Sequence, residues 1–115
     1  EDEESKRLPF AQAATGAIGI ETLLPLALEM YHNESLTLTK IIETLTINPA
    51  KILKIDKGTL KKGSEADICV FDLNKPWIVS ANNLKSKSKN SAIEGRKLQG
   101  KVFMTFLNGE LVFKS

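Results

Sequence analysis

Few side chains in this sequence could carry catalytic or metal-binding chemistry. The chain contains one histidine, His32, and one cysteine, Cys69. A zinc site usually takes three or four ligands drawn from His, Cys, Asp and Glu, and structural sites favour Cys and His. The sequence therefore predicts that these residues bind no metal in a Cys/His site of their own. A single thiol also excludes a disulfide within the chain and favours a reducing, intracellular compartment.

The isolated reactive residues have ordinary structural interpretations. His32 falls at a predicted helix end, where the helix dipole or solvent exposure explains it. Cys69 lies in a predicted buried strand and is expected to be an inert core thiol. Asp67 and Asp72 flank that strand, but a spacing of five residues puts them on opposite faces; Asp67 is expected to accept hydrogen bonds from neighbouring turns. Trp77 is expected to anchor a core or a domain interface.

Composition and charge narrow the function classes. The chain has 115 residues, of which 42% are hydrophobic and 26% charged, a balance typical of one globular core. Residues 85–101 carry six basic residues and one acidic residue, but they lack interleaved aromatics and any nucleic-acid motif, so we interpret them as a solvated loop. The N-terminal EDEESKR does not resemble a signal peptide, and Pro25 interrupts the longest apolar run. We expect neither a nucleic-acid partner nor a membrane partner.

The first half of the chain has helical periodicity. An apolar stripe at i, i+3 and i+4 spacing predicts an amphipathic helix that ends at His32-Asn33. Thr22 is expected to cap its first turn through the hydroxyl, with Pro25 in that turn and Asn33 as a left-handed closing residue. The stripe consists of Ile20, Leu23, Leu24, Ala27 and Tyr31.

Two further helices are predicted before residue 55. One carries the apolar residues Leu38, Ile41, Ile42 and Leu45 and is expected to be capped by Ser35 or Thr37. The other is a short helix, 50–54, for which Asn48 is the expected cap and Pro49 the first helical residue.

The second half favours strands. Thr59-Leu60, between two glycines, is predicted to be a short strand, and residues 66–71 alternate as a strand buried on both faces. Residues 77–79 form a separate strand candidate, followed by a polar loop over 80–98. Residues 101–107 and 110–114 flank Asn108-Gly109, the preferred pair for a type I′ hairpin turn.

These elements do not make a self-sufficient core. Each helix has one apolar stripe, and about four short strands form a small sheet that needs cover. We therefore expect the chain to be part of something larger, or to need a partner that completes its core.

Three segments carry a family resemblance. Residues 46–73, TINPAKILKIDKGTLKKGSEADICVFDL, resemble the closing segment of the amidohydrolase superfamily, T-x-N-P-A followed by G-x-L-x-x-G-x-x-A-D-x-x-x-x-D. Residues 5–26, SKRLPFAQAATGAIGIETLLPL, and residues 86–109, SKSKNSAIEGRKLQGKVFMTFLNG, resemble the corresponding segments of bacterial class I dihydroorotases. The first segment is shared with hydantoinases and allantoinases, whereas the three together are more specific.

The resemblance implies an α/β fold class and two domains. Residues 1–55 are expected to be the last helical part of a (β/α)8 barrel. Residues 56–115 are expected to supply the C-terminal strands of a small composite β-sandwich. The missing N-terminal part of the same polypeptide is then the first partner.

The resemblance also implies an activity and a cofactor. The family catalyses the reversible, zinc-dependent cyclisation of N-carbamoyl-L-aspartate to dihydroorotate in pyrimidine synthesis, in the cytoplasm. Its zinc ligands and its catalytic Asp have no counterpart among these residues, so the chain alone is expected to be inactive and to bind no zinc. A homodimer or a complex with aspartate transcarbamoylase is the expected assembly. Two alternatives stay open: a non-catalytic subunit that scaffolds aspartate transcarbamoylase, and another cyclic amidohydrolase such as a hydantoinase or an allantoinase.

One part of the active site is expected within the chain. In the family, the small-residue turn before G-x-x-G-x-E-T presents backbone groups to the substrate. By position that turn is Thr15-Gly16, which we predict to bind substrate; glycine allows a ligand to approach the backbone closely. Glu1 aligns with a His or Gln of the family and is left out of the predicted site. No catalytic residue is predicted within the chain.

Overall fold

The computed structural model describes residues 3–13 and 15–115. Within them, helices come first and an antiparallel sheet of order β1-β2-β3 follows, so the predicted α/β class is confirmed. Single 3-10 turns precede α2 and follow β1, at Ile20–Thr22 and Ala81–Asn83. The elements are α1 Glu3–Lys6, α2 Leu23–His32, α3 Leu38–Leu45, α4 Ile47–Leu53, β1 Ile68–Ile78, β2 Lys97–Leu107 and β3 Glu110–Lys114.

Helix α2 has the predicted extent, but the residues at its two ends do not cap it as predicted. Pro25 lies in its first turn, as expected. The prediction for Thr22 is wrong, because its hydroxyl donates to the Gly19 carbonyl at 3.1 Å and closes the preceding 3-10 turn instead of capping the helix. Asn33 has a φ of −90°, and Glu34 takes the left-handed conformation with a φ of 58°. The chain therefore reverses one residue later than predicted.

Helices α3 and α4 follow each other almost without a break. Thr37 caps α3 as predicted, because its hydroxyl accepts from the Lys40 amide at 3.3 Å. The predicted cap at Asn48 is wrong, since α4 already begins at Ile47. Thr46 joins the two helices and donates its hydroxyl to the Ile42 carbonyl at 2.7 Å. Because the chain is already helical at Asn48, no free helix end exists there to cap.

The sheet has fewer and longer strands than predicted. The two strands expected at 66–71 and 77–79 are largely one strand, β1, which pairs with the single long strand β2. The pairing is irregular between Val70 and Phe71 and between Asp72 and Pro76. The strand predicted at Thr59-Leu60 is wrong, because these residues pair with no strand of the described sheet. The hairpin is confirmed: Asn108 and Gly109 have φ values of 51° and 82°, the positive values that a type I′ turn requires.

The core lies where α2 packs on β2. Leu28, Val79 and Leu98 are fully or almost fully buried there. Gly100 makes the close approach possible, because a Cβ at this position would lie 2.5 Å from the Leu28 Cδ1 atom. The Gly100 carbonyl also accepts a hydrogen bond from the Trp77 indole at 2.9 Å, which joins β1 to the same point. Trp77 is only half-buried and lies beside this core, so its expected role as a core or domain-interface anchor stays a prediction.

Much apolar surface lies outside this core. Phe10, Ile20, Ile52 and Leu60 are between 80% and 100% exposed. The radius of gyration is 16.5 Å, against about 13 Å for a compact domain of this length. The described residues alone therefore leave these side chains uncovered.

Candidate functional site

The predicted substrate turn lies on the surface ahead of α2. Thr15 and Gly16 are exposed. Gly16 has a φ of +84°, which a side chain would strain, although a Cβ there would meet no atom within 4 Å. The glycine is therefore required by the backbone conformation and not by crowding. The open space beside it leaves the backbone accessible to a ligand.

The turn is held by residues far away in the sequence. The Asn90 side-chain amide donates to the Gly16 carbonyl, and the Lys6 ammonium donates to the same oxygen at 2.8 Å. The backbone of Asn90 takes part as well, because the Ile18 amide donates to its carbonyl at 2.9 Å. An isolated parallel bridge between Ile18 and Ser91 continues this pairing. The segment after β1 thus supports the turn before α2.

A second polar contact joins the segment after β1 to the chain ahead of α2. The Glu21 carboxylate accepts from the Ser86 amide at 3.1 Å. An open groove of about 1020 Å³ has Ala17, Glu21, Trp77 and Lys101 among its lining residues. Thr15 and Gly16 do not line this groove, although Ala17, the next residue, does.

The described residues contain no group of three or more His, Cys, Asp and Glu side chains that could hold a metal ion. Residues 3–13 and 15–115 therefore do not supply the ligands for the zinc ion that the resemblance implies. This part of the chain instead has backbone groups at the Thr15-Gly16 turn and side chains, such as that of Asn90, that hold the turn in place.

Comparison with known proteins gives the context of this turn. The model of the amidohydrolase family matches residues 10–112. The chain belongs to the amidohydrolase family. The resemblance seen in the sequence is thus confirmed at the level of the family, and the match includes Thr15-Gly16 as well as Asn90.

Curated relatives of this amidohydrolase chain are bacterial dihydroorotases. It is 42% identical over 114 residues to the dihydroorotase of Ehrlichia chaffeensis, covering 99% of the chain and 26% of the relative. It is 49% identical over 102 residues to the dihydroorotase of Aquifex aeolicus, covering 89% of the chain and 24% of the relative. The chain therefore spans about a quarter of the length of the relatives it matches.

Solved structures of hydantoinases have the same fold. A D-hydantoinase superposes with a TM-score of 0.88 at 25% identity, covering 97% of this amidohydrolase chain and 25% of the hydantoinase. The L-hydantoinase (dihydropyrimidinase) of Arthrobacter aurescens superposes with a TM-score of 0.82 at 34% identity, covering 90% and 24%. The α/β arrangement of the chain is thus that of a part of these enzymes. The division at residue 55 into barrel and sandwich parts stays a prediction.

His32 lies in the last turn of α2, as predicted, but solvent exposure does not explain it. The residue is half-buried, and its ring stands edge-on to Tyr31 with centroids 5.4 Å apart. Its buried Nε2 atom has no hydrogen-bond partner among the described residues. It borders a pocket of about 480 Å³ next to the ion pair of Glu29 and Arg96, whose atoms are 2.8 Å apart.

The prediction that Cys69 is a buried core thiol is wrong for the described chain. Cys69 is exposed and lies opposite Thr105 in the pairing of β1 with β2. Partial desolvation nevertheless raises the pKa of its thiol above the ordinary value. A raised pKa disfavours the nucleophilic thiolate, so the expectation of an inert thiol agrees with the structure.

Asp67 has the structural role that was predicted. One of its carboxylate oxygens accepts from the Asn108 amide at 2.9 Å, in the hairpin turn, and the other from Lys57 at 2.6 Å. The Lys57 hydrogen bond, followed by that of Asn108, lowers the pKa of this carboxyl group. Asp72 instead accepts from the amides of Asn74 and Lys75 in its own turn. The two aspartates thus form no catalytic pair.

Sequence reasoning gave no role to Asn90 or to Glu21. Asn90 lies 74 residues from Gly16, and no local pattern indicates that they meet. The one sequence signal that includes Asn90 is the S-K-S-x-N segment, which marks the family and does not by itself indicate a contact with Gly16. Glu1 lies outside the described residues. Within those residues, we find no helix long and apolar enough to cross a membrane.

Proposed function

We propose that the full-length protein containing this chain is a dihydroorotase. It would catalyse the reversible cyclisation of N-carbamoyl-L-aspartate to dihydroorotate in de novo pyrimidine synthesis, in the cytoplasm. The observation that carries the proposal is the 42–49% identity to dihydroorotases over 89–99% of the chain. The hydantoinase structures are less similar in sequence, at 25% and 34% identity.

Within this proposal, the chain contributes substrate contacts and not the metal. Zinc would be bound by residues outside the chain, because the described residues form no metal-binding group. Thr15 and Gly16 would contact the substrate through their backbone. The open space at the Gly16 Cα supports this role, since it leaves room for a ligand to approach the backbone. The next residue, Ala17, lines the groove described above.

The partners follow from the same proposal. The rest of the polypeptide would cover the exposed apolar side chains of Ile20, Ile52 and Leu60. The assembled protein would be a homodimer or a complex with aspartate transcarbamoylase. Size-exclusion chromatography of the full-length protein, alone and with aspartate transcarbamoylase, tests both assemblies.

A second candidate, another cyclic amidohydrolase, is favoured by the fold similarity to hydantoinases. The full-length protein, purified with its metal content measured, should therefore be assayed with dihydroorotate, hydantoin and allantoin. Faster turnover of dihydroorotate, with zinc present, is the expected result. Faster turnover of hydantoin or allantoin would replace the proposal with the second candidate. No turnover, together with stable binding to aspartate transcarbamoylase, would indicate a non-catalytic scaffold.

A further inference from the structure

We propose that Asn90 is a positioning residue, which orients the Gly16–Ala17 peptide group toward the substrate. The inference rests on the proposed function, in which the Thr15-Gly16 turn contacts the substrate. It adds a residue from the distant loop after β1 to a site formed by the loop before α2.

Asn90 fixes the turn at two points. Its side-chain amide donates to the Gly16 carbonyl, and its own carbonyl accepts from the Ile18 amide at 2.9 Å. These two contacts lie on either side of Ala17. A single side chain hydrogen bond would leave the turn free to rotate about the contact, whereas two contacts from one residue define its orientation.

The fixed carbonyl determines where the next amide points. In a planar trans peptide, the C=O of one residue and the N–H of the next point in opposite directions. Because the Gly16 carbonyl is directed at Asn90 and Lys6, the Ala17 N–H is directed away from them. This amide has no hydrogen-bond partner among the described residues. It is therefore a donor available to a carboxylate or carbonyl oxygen of a ligand.

The contact is polar and not a matter of packing. A Cβ at Gly16 would meet no atom within 4 Å, so Asn90 does not fill a crowded space beside it. Asparagine and aspartate have almost the same shape, but aspartate at neutral pH is an acceptor only. Asn90→Asp thus removes the donor while keeping the volume, and its carboxylate would repel the Gly16 carbonyl.

The test compares variants of the full-length enzyme with dihydroorotate as substrate. For Asn90→Ala and Asn90→Asp we expect KM to rise about tenfold while kcat changes less than about twofold, the signature of lost binding. The thermal midpoint should stay close to that of the unsubstituted enzyme. The matched control is Asn82→Asp, which makes the same charge change at an exposed position of the same loop and should leave KM unchanged.

Two results would overturn the proposal. An unchanged KM in both Asn90 variants would exclude a role in substrate binding. A KM raised in Asn90→Ala but normal in Asn90→Asp would show that side-chain volume matters and the donor does not.

Failure of the proposed function is distinguishable from failure of this inference. If the unsubstituted enzyme acts on hydantoin or allantoin instead, the same KM comparison with that substrate still tests Asn90. If it acts on none, equilibrium binding of dihydroorotate takes the place of KM: a Kd raised about tenfold in both Asn90 variants supports the inference, and an unchanged Kd overturns it.

Discussion

The α2–β2 junction and the turn ahead of α2 are held in opposite ways. At the junction, Leu28 and Leu98 are almost completely removed from solvent, and Gly100 lets the helix approach the strand. At the turn, Gly16 is exposed and is held by hydrogen bonds from Asn90 and Lys6. Apolar packing thus fixes the first region, and a few polar contacts fix the second.

Because of this difference, we expect the junction to determine mainly stability and the turn to determine mainly ligand binding. Burying a leucine contributes about 1.5–3 kcal/mol, whereas one exposed hydrogen bond contributes about 1 kcal/mol. Variants at the junction should therefore lower the free energy of unfolding, and variants at the turn should alter ligand binding with little change in stability. The full-length protein is the material for all the measurements that follow.

The largest effect is expected for Leu28→Ala. Leu28 is fully buried, so its removal leaves a cavity and should cost about 3 kcal/mol of unfolding free energy. Urea unfolding measures this loss. The control is Leu28→Met, which nearly conserves volume and should cost less than about 1.5 kcal/mol. Equal losses in the two variants would show that packing at this position does not decide stability.

A smaller loss is expected for Gly100→Ala. Its new Cβ would lie 2.5 Å from the Leu28 Cδ1 atom, and Gly100 has a φ of +102°. Overpacking and backbone strain together should cost about 2 kcal/mol in urea unfolding.

Two comparisons separate the causes of that loss. In the Leu28→Ala background the clashing methyl group is gone, so the added cost of Gly100→Ala should fall to about 1 kcal/mol, the backbone part. Gly95→Ala is the control for backbone strain alone, because Gly95 has a φ of +74° with no atom within 4 Å of a Cβ. Additive losses in the double variant would contradict the proposed contact between Leu28 and residue 100.

The junction and the turn also differ in how far the sequence predicts them. Helix α2 and the hairpin at Asn108-Gly109 follow from local patterns, namely apolar periodicity and a turn pair that accepts positive φ. The family resemblance placed the turn at Thr15-Gly16. Local patterns gave no indication that Leu28 meets Gly100 or that Asn90 meets Gly16, because these contacts join residues more than seventy positions apart.

The wrong predictions have a common physical reason. Thr22 and Asn48 are good capping residues in isolation, but the chain before each of them is already in a helical turn. Cys69 alternates as a buried residue would, yet burial depends on what covers the outer face of β1. A pattern of residue types describes what an element can do, and neighbouring elements decide whether it does so.

At the turn, Glu21→Ala should affect binding more than stability. The Glu21 carboxylate accepts an exposed hydrogen bond from the Ser86 amide at 3.1 Å. Its loss should raise KM about threefold and cost less than about 1 kcal/mol of unfolding free energy. Enzyme kinetics and urea unfolding of the same preparation measure both. Glu21→Gln keeps an acceptor oxygen and should behave almost like the unsubstituted enzyme. A loss of stability as large as that of Leu28→Ala would remove the distinction between the two regions.

The smallest effect is expected at the partly buried ionic contact between Lys57 and Asp67, which tests whether a charge pair beside the hairpin turn adds to stability. The hydrogen bond from Lys57, and then that from Asn108, lowers the pKa of Asp67 from its ordinary value of 3.8. The stabilisation is therefore present above about pH 4 and is lost as the pH falls through the lowered pKa. Asp67→Asn should remove this acid dependence of the thermal midpoint, while Asp56→Asn, at an exposed position, should retain it.

At alkaline pH, the same contact should lose its stabilisation as the pH rises, the opposite direction from the loss at acid pH. Hydrogen bonds to Asp67 and then Glu65 raise the pKa of Lys57 from 10.5 to about 12. Its stabilisation is complete below the ordinary value and is lost as the pH rises through the raised pKa. Lys57→Met should therefore flatten both the acid and the alkaline limbs of the thermal midpoint, because it removes the partner common to both. If Lys57→Met flattened only the alkaline limb, the Asn108 amide and not Lys57 would be the group that stabilises the Asp67 carboxylate.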